Sequence, residues 1–142
     1  MAGETPAQLA ANLQKLARRL SGNVEALVSH VVREVASDLV PATPVDTGFA
    51  RGNWQATLNA PAVAPITRND PSGTATVRII SGVSRLWRAG DVFYITNNAP
   101  YIGQLNAGSS PQAPAGFVKK AVDTATARAF ATAPGLVDAE RR

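Results

Sequence analysis

Apolar residues recur every three or four positions along the first 40 residues of the chain. They stand at Leu9, Leu13, Leu16, Leu20, Val24, Leu27, Val31, Val35 and Leu39. This spacing keeps one face of an α-helix in phase from end to end. Thr5 as N-cap, Pro6 at the first helical position and Gln8 three residues after Thr5 form a helix-start signal. The pattern predicts one long amphipathic helix, which Pro41 and Pro44 are expected to end.

Gly22 is the weak position of this helix, since glycine costs about 1 kcal/mol relative to alanine in a helix interior. The apolar phase continues beyond it, which favours one helix, straight or bent at Gly22, over two. A straight helix would be about 50 Å long, whereas a compact chain of this length has a radius of gyration of about 14–15 Å. The helix is therefore expected to bend or to extend beyond its domain, with an apolar face that needs a neighbour. Leu27, on that face, is a candidate interface residue.

Three shorter patterns in the middle of the chain predict β-strands. Residues 54–58 alternate apolar and polar side chains, as a half-buried strand does. Residues 74–80 are rich in β-branched side chains and are predicted to form a second strand. Residues 91–96 are apolar on both faces, which predicts the most buried strand of the sheet. The Pro- and Ala-rich residues 60–71 are predicted to form an extended surface loop.

Two helices are predicted towards the C-terminus. Pro100 begins a short one, which ends at Gly108. A longer one covers residues 117–130, with Val118, Val122, Ala125 and Ala129 as its apolar face. The predicted fold class is α+β: a long N-terminal helix packed on a small, mostly antiparallel sheet, followed by a short helix and a C-terminal helix. Residues 1–130 are predicted to form a single domain and residues 131–142 a mobile tail.

Composition narrows the function classes. The 142 residues include no cysteine, which excludes disulfides, zinc ribbons and thiol catalysis. The N-terminal residues lack the features of a signal peptide, and no apolar run is long enough for a membrane helix. A cytosolic protein without a membrane partner is therefore expected. The formal net charge is +4, but the basic residues are scattered and no aromatic stacking platform lies between them. A small basic nucleic-acid-associated protein remains an alternative.

Few residues suggest a catalytic or ligand-binding role. The tripeptide Asp46-Thr47-Gly48 occurs in aspartic proteases, where two such aspartates activate water. Here Asp46 follows a helix and two prolines rather than a buried strand, so a protease is a remote alternative and a capped turn explains the same residues. His30 is the single histidine and is expected at a surface or interface. No serine nucleophile motif, nucleotide-binding loop or metal-ligand cluster is present. The prediction is a protein that is not an enzyme and binds no cofactor or metal.

Two segments resemble a known family. Residues 43–54, with the sequence TPVDTGFARGNW, resemble the segment that follows the first helix in tail-completion (head–tail joining, neck) proteins of long-tailed bacteriophages. A second block resembles another segment of that family and comprises Gly90-Asp91, Tyr94 to Tyr101, Leu105, Gly108, Ser109 and Gln112 to Val118. The two blocks span residues 43–54 and 90–118, a little under a third of the chain, in the family's order. They depart from the family's pattern at two positions. The family usually has an acidic residue where this chain has Asn106, and a lysine where it has Pro111.

The resemblance implies an α+β subunit of a homo-oligomeric ring, expected to be a hexamer, at the junction of phage head and tail. Its partners would be other copies of itself, the head connector or stopper protein and the tail tube protein, with genomic DNA only as passing cargo. The expected location is the neck of the virion, after assembly in the host cytoplasm. The family is structural, so no catalytic residue carries over. The tail-terminator, tail-completion and connector roles all stay open.

The loop at residues 109–116 is predicted to be an assembly element. Its prolines restrict the backbone and lower the entropy lost on docking, and its side chains are small and carry no titratable group. The candidate interface residues here are Ser109, Ser110, Pro111, Gln112, Pro114 and Phe117. A simple connector between two helices is the alternative.

Overall fold

A computed structural model of the chain describes residues 5–133. The elements in chain order are α1 (Pro6–Ala42), α2 (Phe49–Gly52), β1 (Trp54–Leu58), α3 (Thr74–Ser84), β2 (Phe93–Asn97), α4 (Ile102–Asn106) and α5 (Phe117–Thr132). A long N-terminal helix, a small antiparallel sheet, a short helix and a C-terminal helix are all present. The predicted α+β class is confirmed.

Helix α1 is continuous over 37 residues and passes through Gly22 without a break. It begins with the predicted capping box, in which the Gln8 amide donates to the Thr5 hydroxyl and the Thr5 amide donates to the Gln8 side chain. Of the two prolines predicted to end the helix, Pro41 lies inside its last turn, so that part of the prediction is wrong. Thr43, which precedes Pro44, has an extended backbone, as predicted. The helix ends at Ala42, and the Thr43 hydroxyl donates to the Leu39 carbonyl at 2.9 Å. At 1.5 Å per residue, α1 is about 55 Å long.

The hydrophobic core lies against the C-terminal half of α1. Its buried residues are Val32, Val35, Ala36, Leu39 and Val40 from α1, Trp54 from β1, Ile80 from α3, and Ala121 and Ala125 from α5. Helix α1 contacts α5 and α3 extensively, and the sheet packs on the same cluster through Ala56, Phe93 and Ile95. None of these core residues precedes Val28 in α1. The N-terminal half of α1 therefore projects from the domain.

The sheet has two strands in the described part of the chain. Strands β1 and β2 pair antiparallel, with Trp54 opposite Asn97 and Leu58 opposite Phe93. Every residue of β2 is only half-buried. The prediction that residues 91–96 form the most buried strand is therefore wrong, because a two-stranded sheet is covered on one face only.

Residues 74–80 were expected to form a strand and instead begin helix α3. Its buried residues Thr76, Ile80 and Ser84 recur every four positions, which is a helical spacing. The Asp70 carboxylate accepts hydrogen bonds from the Thr76 amide at 2.8 Å and the Thr76 hydroxyl at 2.7 Å. This cap starts the helix, and core contacts outweigh the strand preference of its β-branched residues.

Helix α5 extends two residues beyond the predicted boundary at residue 130, and Ala133 after it is buried. Residues 131–133 therefore belong to the folded domain rather than to a tail. Residues 134–142 lie outside the described residues. The buried face of α5 consists of Phe117, Ala121, Ala125 and Ala129, while the predicted Val118 and Val122 are half-buried beside it.

Candidate assembly surfaces

The first family-like segment, residues 43–54, ties the end of α1 to the rest of the domain. The Arg51 guanidinium donates to the carbonyls of Thr43 and Pro41 at 2.8 Å each, and also to the carbonyl of Pro71. These bonds satisfy carbonyl groups that the end of a helix leaves unpaired. The buried Trp54 indole donates to the Thr43 hydroxyl at 2.8 Å. Arg51 and Trp54 therefore serve the fold.

Two glycines of this segment allow another stretch of backbone to pass close by. A Cβ atom at Gly48 would lie 2.4 Å from the Pro71 nitrogen, and one at Gly52 would lie 1.7 Å from the Arg68 carbonyl oxygen. Gly48 also has a φ of 88°, which side-chain-bearing residues rarely adopt. The glycine of Asp46-Thr47-Gly48 is therefore explained by close packing.

The second family-like block lies against the first. The Gln112 side chain accepts from the Val45 amide and donates to the Val45 carbonyl, both at 2.9 Å. Asn97 donates to the Ala50 carbonyl at 2.7 Å. The rings of Phe49 and Tyr101 lie 6.3 Å apart, centre to centre. The structure thus brings together two segments that are about 50 residues apart in the sequence.

The predicted assembly loop is anchored at both ends and remains largely exposed between them. Ser109, Pro111, Gln112 and Pro114 are exposed, and Ser110 is half-buried. Phe117 is only 3% exposed, so only a small part of its ring is accessible at the surface.

Asn106, one of the two positions that depart from the pattern of the resembled family, connects the end of α4 with the start of α5. Its carbonyl accepts from the Gly116 amide at 2.7 Å, and its side chain accepts from the Val118 amide at 3.2 Å. The Asn106 side chain thus holds the first turn of α5 in place. An amide oxygen performs this role without a negative charge.

A concavity of about 500 Å³ opens between the end of α1, the loop and the start of α5. Its apolar lining consists of Ala42, Ala113, Pro114, Phe117 and Ala121. Asp38, Gln112, Lys120 and Thr124 are among the polar residues that line it. We call this concavity the groove. Three of the predicted interface residues, Gln112, Pro114 and Phe117, meet in it.

The projecting half of α1 exposes an apolar face, which we call the stripe. It consists of Leu9, Leu13, Leu16, Leu20 and Val24, each between 44% and 56% exposed. Ordinary soluble domains expose single apolar side chains, whereas a continuous row indicates a contact surface. Leu27, the predicted interface residue, is half-buried at the point where the stripe meets the domain.

Helix α5 covers the same face of α1 beyond Leu27. The Arg128 guanidinium donates to Glu34 at 2.7 Å and to Asp38 at 2.8 and 3.1 Å. Hydrogen bonds to Asp38 and then to Glu34 raise the pKa of Arg128 above its ordinary value. At the end of α5, Thr132 contacts the His30 ring at 2.8 Å. His30 therefore lies at a helix–helix contact, and Glu34 pairs with Arg128 rather than with His30.

The residues considered for catalysis are dispersed. Asp46 is exposed in the segment that follows helix α1 rather than a strand. The protease alternative thus loses the strand that it requires. In residues 5–133, no three His, Asp or Glu side chains converge as metal ligands would. Within the same residues, no helix combines the length and apolar character of a membrane span.

Comparisons with protein families, with characterised proteins and with solved structures gave no match.

Proposed function

We propose that this chain is a structural subunit that assembles into a homo-oligomeric ring at the head–tail junction of a long-tailed bacteriophage. It would join the head connector or stopper to the tail tube, as a tail-completion or tail-terminator protein. Neither the tail-completion role nor the tail-terminator role requires catalysis, so the subunit would act through its contacts with neighbouring proteins.

The observation that carries the proposal is the stripe. Its five large apolar residues are solvated in the single chain, although they lie in phase with the helix face that α5 covers in the domain. Exposing such a row costs free energy that burial against a neighbouring molecule recovers, at about 25 cal/mol per Å² of apolar surface. A chain built this way is suited to assembly.

The placement at the neck rests on the two family-like segments. In the fold they are joined by the paired hydrogen bonds of Gln112 with Val45 and by the contact of Phe49 with Tyr101. Both segments therefore belong to one structural unit. This juxtaposition supports the resemblance.

A second candidate function is nucleic-acid association. The projecting half of α1 carries Lys15, Arg18 and Arg19, and no acidic residue lies between Pro6 and Val24. This basic segment favours contact with a phosphate backbone. Tight DNA binding at low salt that weakens steeply as salt rises would favour this candidate; weak binding favours the ring protein.

Deletion of the gene in the phage or prophage that encodes the chain tests the placement at the neck. The expected result is an accumulation of DNA-filled heads and separate tails, which the intact gene supplied in trans restores to joined particles. Normal joined particles in the deletion strain would contradict the proposal. Empty heads alone would also contradict it, because they place the defect before DNA packaging is complete.

A further inference from the structure

We infer that the stripe of one copy docks into the groove of the next copy in a head-to-tail arrangement. This inference rests on the proposed ring and specifies which surfaces close it. The donor surface is the projecting half of α1. The acceptor is the concavity between Ala42, Pro114 and Phe117.

The stripe continues a face that already receives a helix. Within the domain, α5 lies on α1 through Arg128 at Glu34 and Asp38 and ends with Thr132 at His30. One and two turns before His30, Leu27 is half-buried and Val24 is exposed. The stripe is thus the uncovered continuation of an established helix interface, which indicates that its occupant is a packed protein surface.

The groove of the same chain cannot receive the stripe. Both lie on α1, the stripe at Leu9 to Val24 and the groove at Ser37 to Ala42. The helix between them is uninterrupted, and at 1.5 Å per residue it separates Leu16 from Asp38 by about 33 Å. Contact between the two surfaces therefore requires a second molecule.

The groove is suited to a helix that presents leucines. Alanine and proline side chains at Ala42, Ala113, Pro114 and Ala121 leave room for large side chains from a partner, and Phe117 forms an apolar floor. Helices pack by inserting the side chains of one surface into depressions of another. The Gln112 bonds to Val45 hold the loop wall of the groove in place before docking.

A head-to-tail contact also has the symmetry that the proposed function needs. Because donor and acceptor are different surfaces, each copy can both donate and accept, and repetition forms a closed ring where the rotation between neighbouring copies is a whole fraction of a full turn. Pairing of two stripes with each other would instead form a closed dimer and leave no free stripe. The heterologous pairing is therefore the one compatible with a ring.

Chemical cross-linking tests the inference, because the chain has no cysteine of its own. Two single variants, Leu16→Cys in the stripe and Thr124→Cys in the groove, are given tags of different size, mixed and treated with a short bis-maleimide. Val63→Cys, on a loop residue that is 90% exposed, replaces Thr124→Cys in the control mixture. The mass of each uncross-linked sample is measured in parallel.

The expected result is a cross-link between the two different variants, which is absent from the control mixture and lost when Leu13→Asp is added to the stripe variant. Cross-links only between Leu16→Cys copies would overturn the inference in favour of paired stripes. Rings without either cross-link would overturn it while leaving the proposed function intact. Monomers at every concentration would contradict the proposed function itself. A melting temperature lowered by Leu16→Cys in dilute monomer would show that the chain covers its own stripe, and would also overturn the inference.

Discussion

Single residues of the segment 43–54 are explained by the backbone that they hold. Arg51 satisfies the last carbonyls of α1, Trp54 bonds to Thr43, and Gly48 lets residues 70 and 71 pass. The resemblance singled out these positions in the sequence, but their structural role could not be predicted. Apart from Thr43 and Pro41, the residues that they contact lie in a loop farther along the chain. The Asp46-Thr47-Gly48 tripeptide is the clearest case. In the sequence it resembles the catalytic motif of aspartic proteases, whereas in the structure it forms a turn.

Replacing Gly48 by alanine is expected to destabilise the domain by more than about 2 kcal/mol, since the new Cβ would overlap the Pro71 backbone at a positive φ. Gly22→Ala is the matched control, because nothing lies within 4 Å of its Cβ position in the helix. That change should stabilise the chain by about 1 kcal/mol. Urea unfolding of both variants checks the pair; equal effects would contradict the account.

Asp70 predicts a pH dependence. Burial raises the pKa of its carboxyl, but hydrogen bonds, first those from the Thr76 hydroxyl and amide and then those involving Gly73 and Ser72, together lower it more and hold the pKa below 3.8. The folded state therefore prefers the carboxylate, so its stabilisation is present above pH 3.8 and is lost as pH falls through the lowered pKa.

Asp70→Ala should cost about 1–2 kcal/mol at pH 7, as the loss of a helix cap does, and less at pH 3. Asp123→Ala, which removes an exposed carboxylate paired with Lys119, is the control and should change stability by about 0.5 kcal/mol or less. Urea titrations at both pH values provide the measurement. A penalty for Asp70→Ala that stays the same or grows at low pH would show that the carboxylate does not act as described.

Gln112→Ala should loosen the predicted assembly loop. It removes the two hydrogen bonds to Val45, and because the site is exposed the expected cost is about 1 kcal/mol. Hydrogen exchange at the Val45 amide should become faster, whereas Ser109→Ala, on the same loop, should leave it unchanged. Equal protection in Gln112→Ala and the parent chain would mean that the loop is held by other contacts.

At the scale of elements, the two halves of α1 have different roles. The sequence predicted the helix correctly because its apolar phase and its capping box are local signals. It failed at residues 74–80, where β-branched composition indicates a strand and the Asp70 cap with the core imposes a helix. It also failed on the burial of residues 91–96, since the number of strands in a sheet depends on long-range pairing. The groove could not be foreseen, because two segments that lie far apart in the sequence, residues 37–42 and 112–124, form it.

Matched substitutions in the two halves of α1 should separate folding from assembly. Leu39, at 2% exposure, is in the core, so Leu39→Ala should cost about 2–5 kcal/mol. Leu13, at 55% exposure, is in the stripe, so Leu13→Gln should change monomer stability by about 0.5 kcal/mol or less while weakening assembly. Thermal melts of dilute protein compare the two. A large loss in Leu13→Gln would place the stripe in the monomer's own core.

At the scale of the whole molecule, a folded domain carries an apolar helix on one side and a groove on another. The domain supplies rigidity through Arg128 between α1 and α5 and through Arg51 at the end of α1. In the proposed ring, the stripe and the groove supply the donor and the acceptor surfaces for identical copies. A ring subunit needs these three features, and it needs no catalytic residue.

Native mass spectrometry of the purified chain over a range of concentrations tests the proposed ring. We expect one closed assembly of uniform copy number, a hexamer, and its loss in a Leu13→Gln, Leu16→Gln variant that remains folded. A mass of 14.8 kDa at every concentration, or an assembly that the stripe variant leaves unchanged, would contradict it.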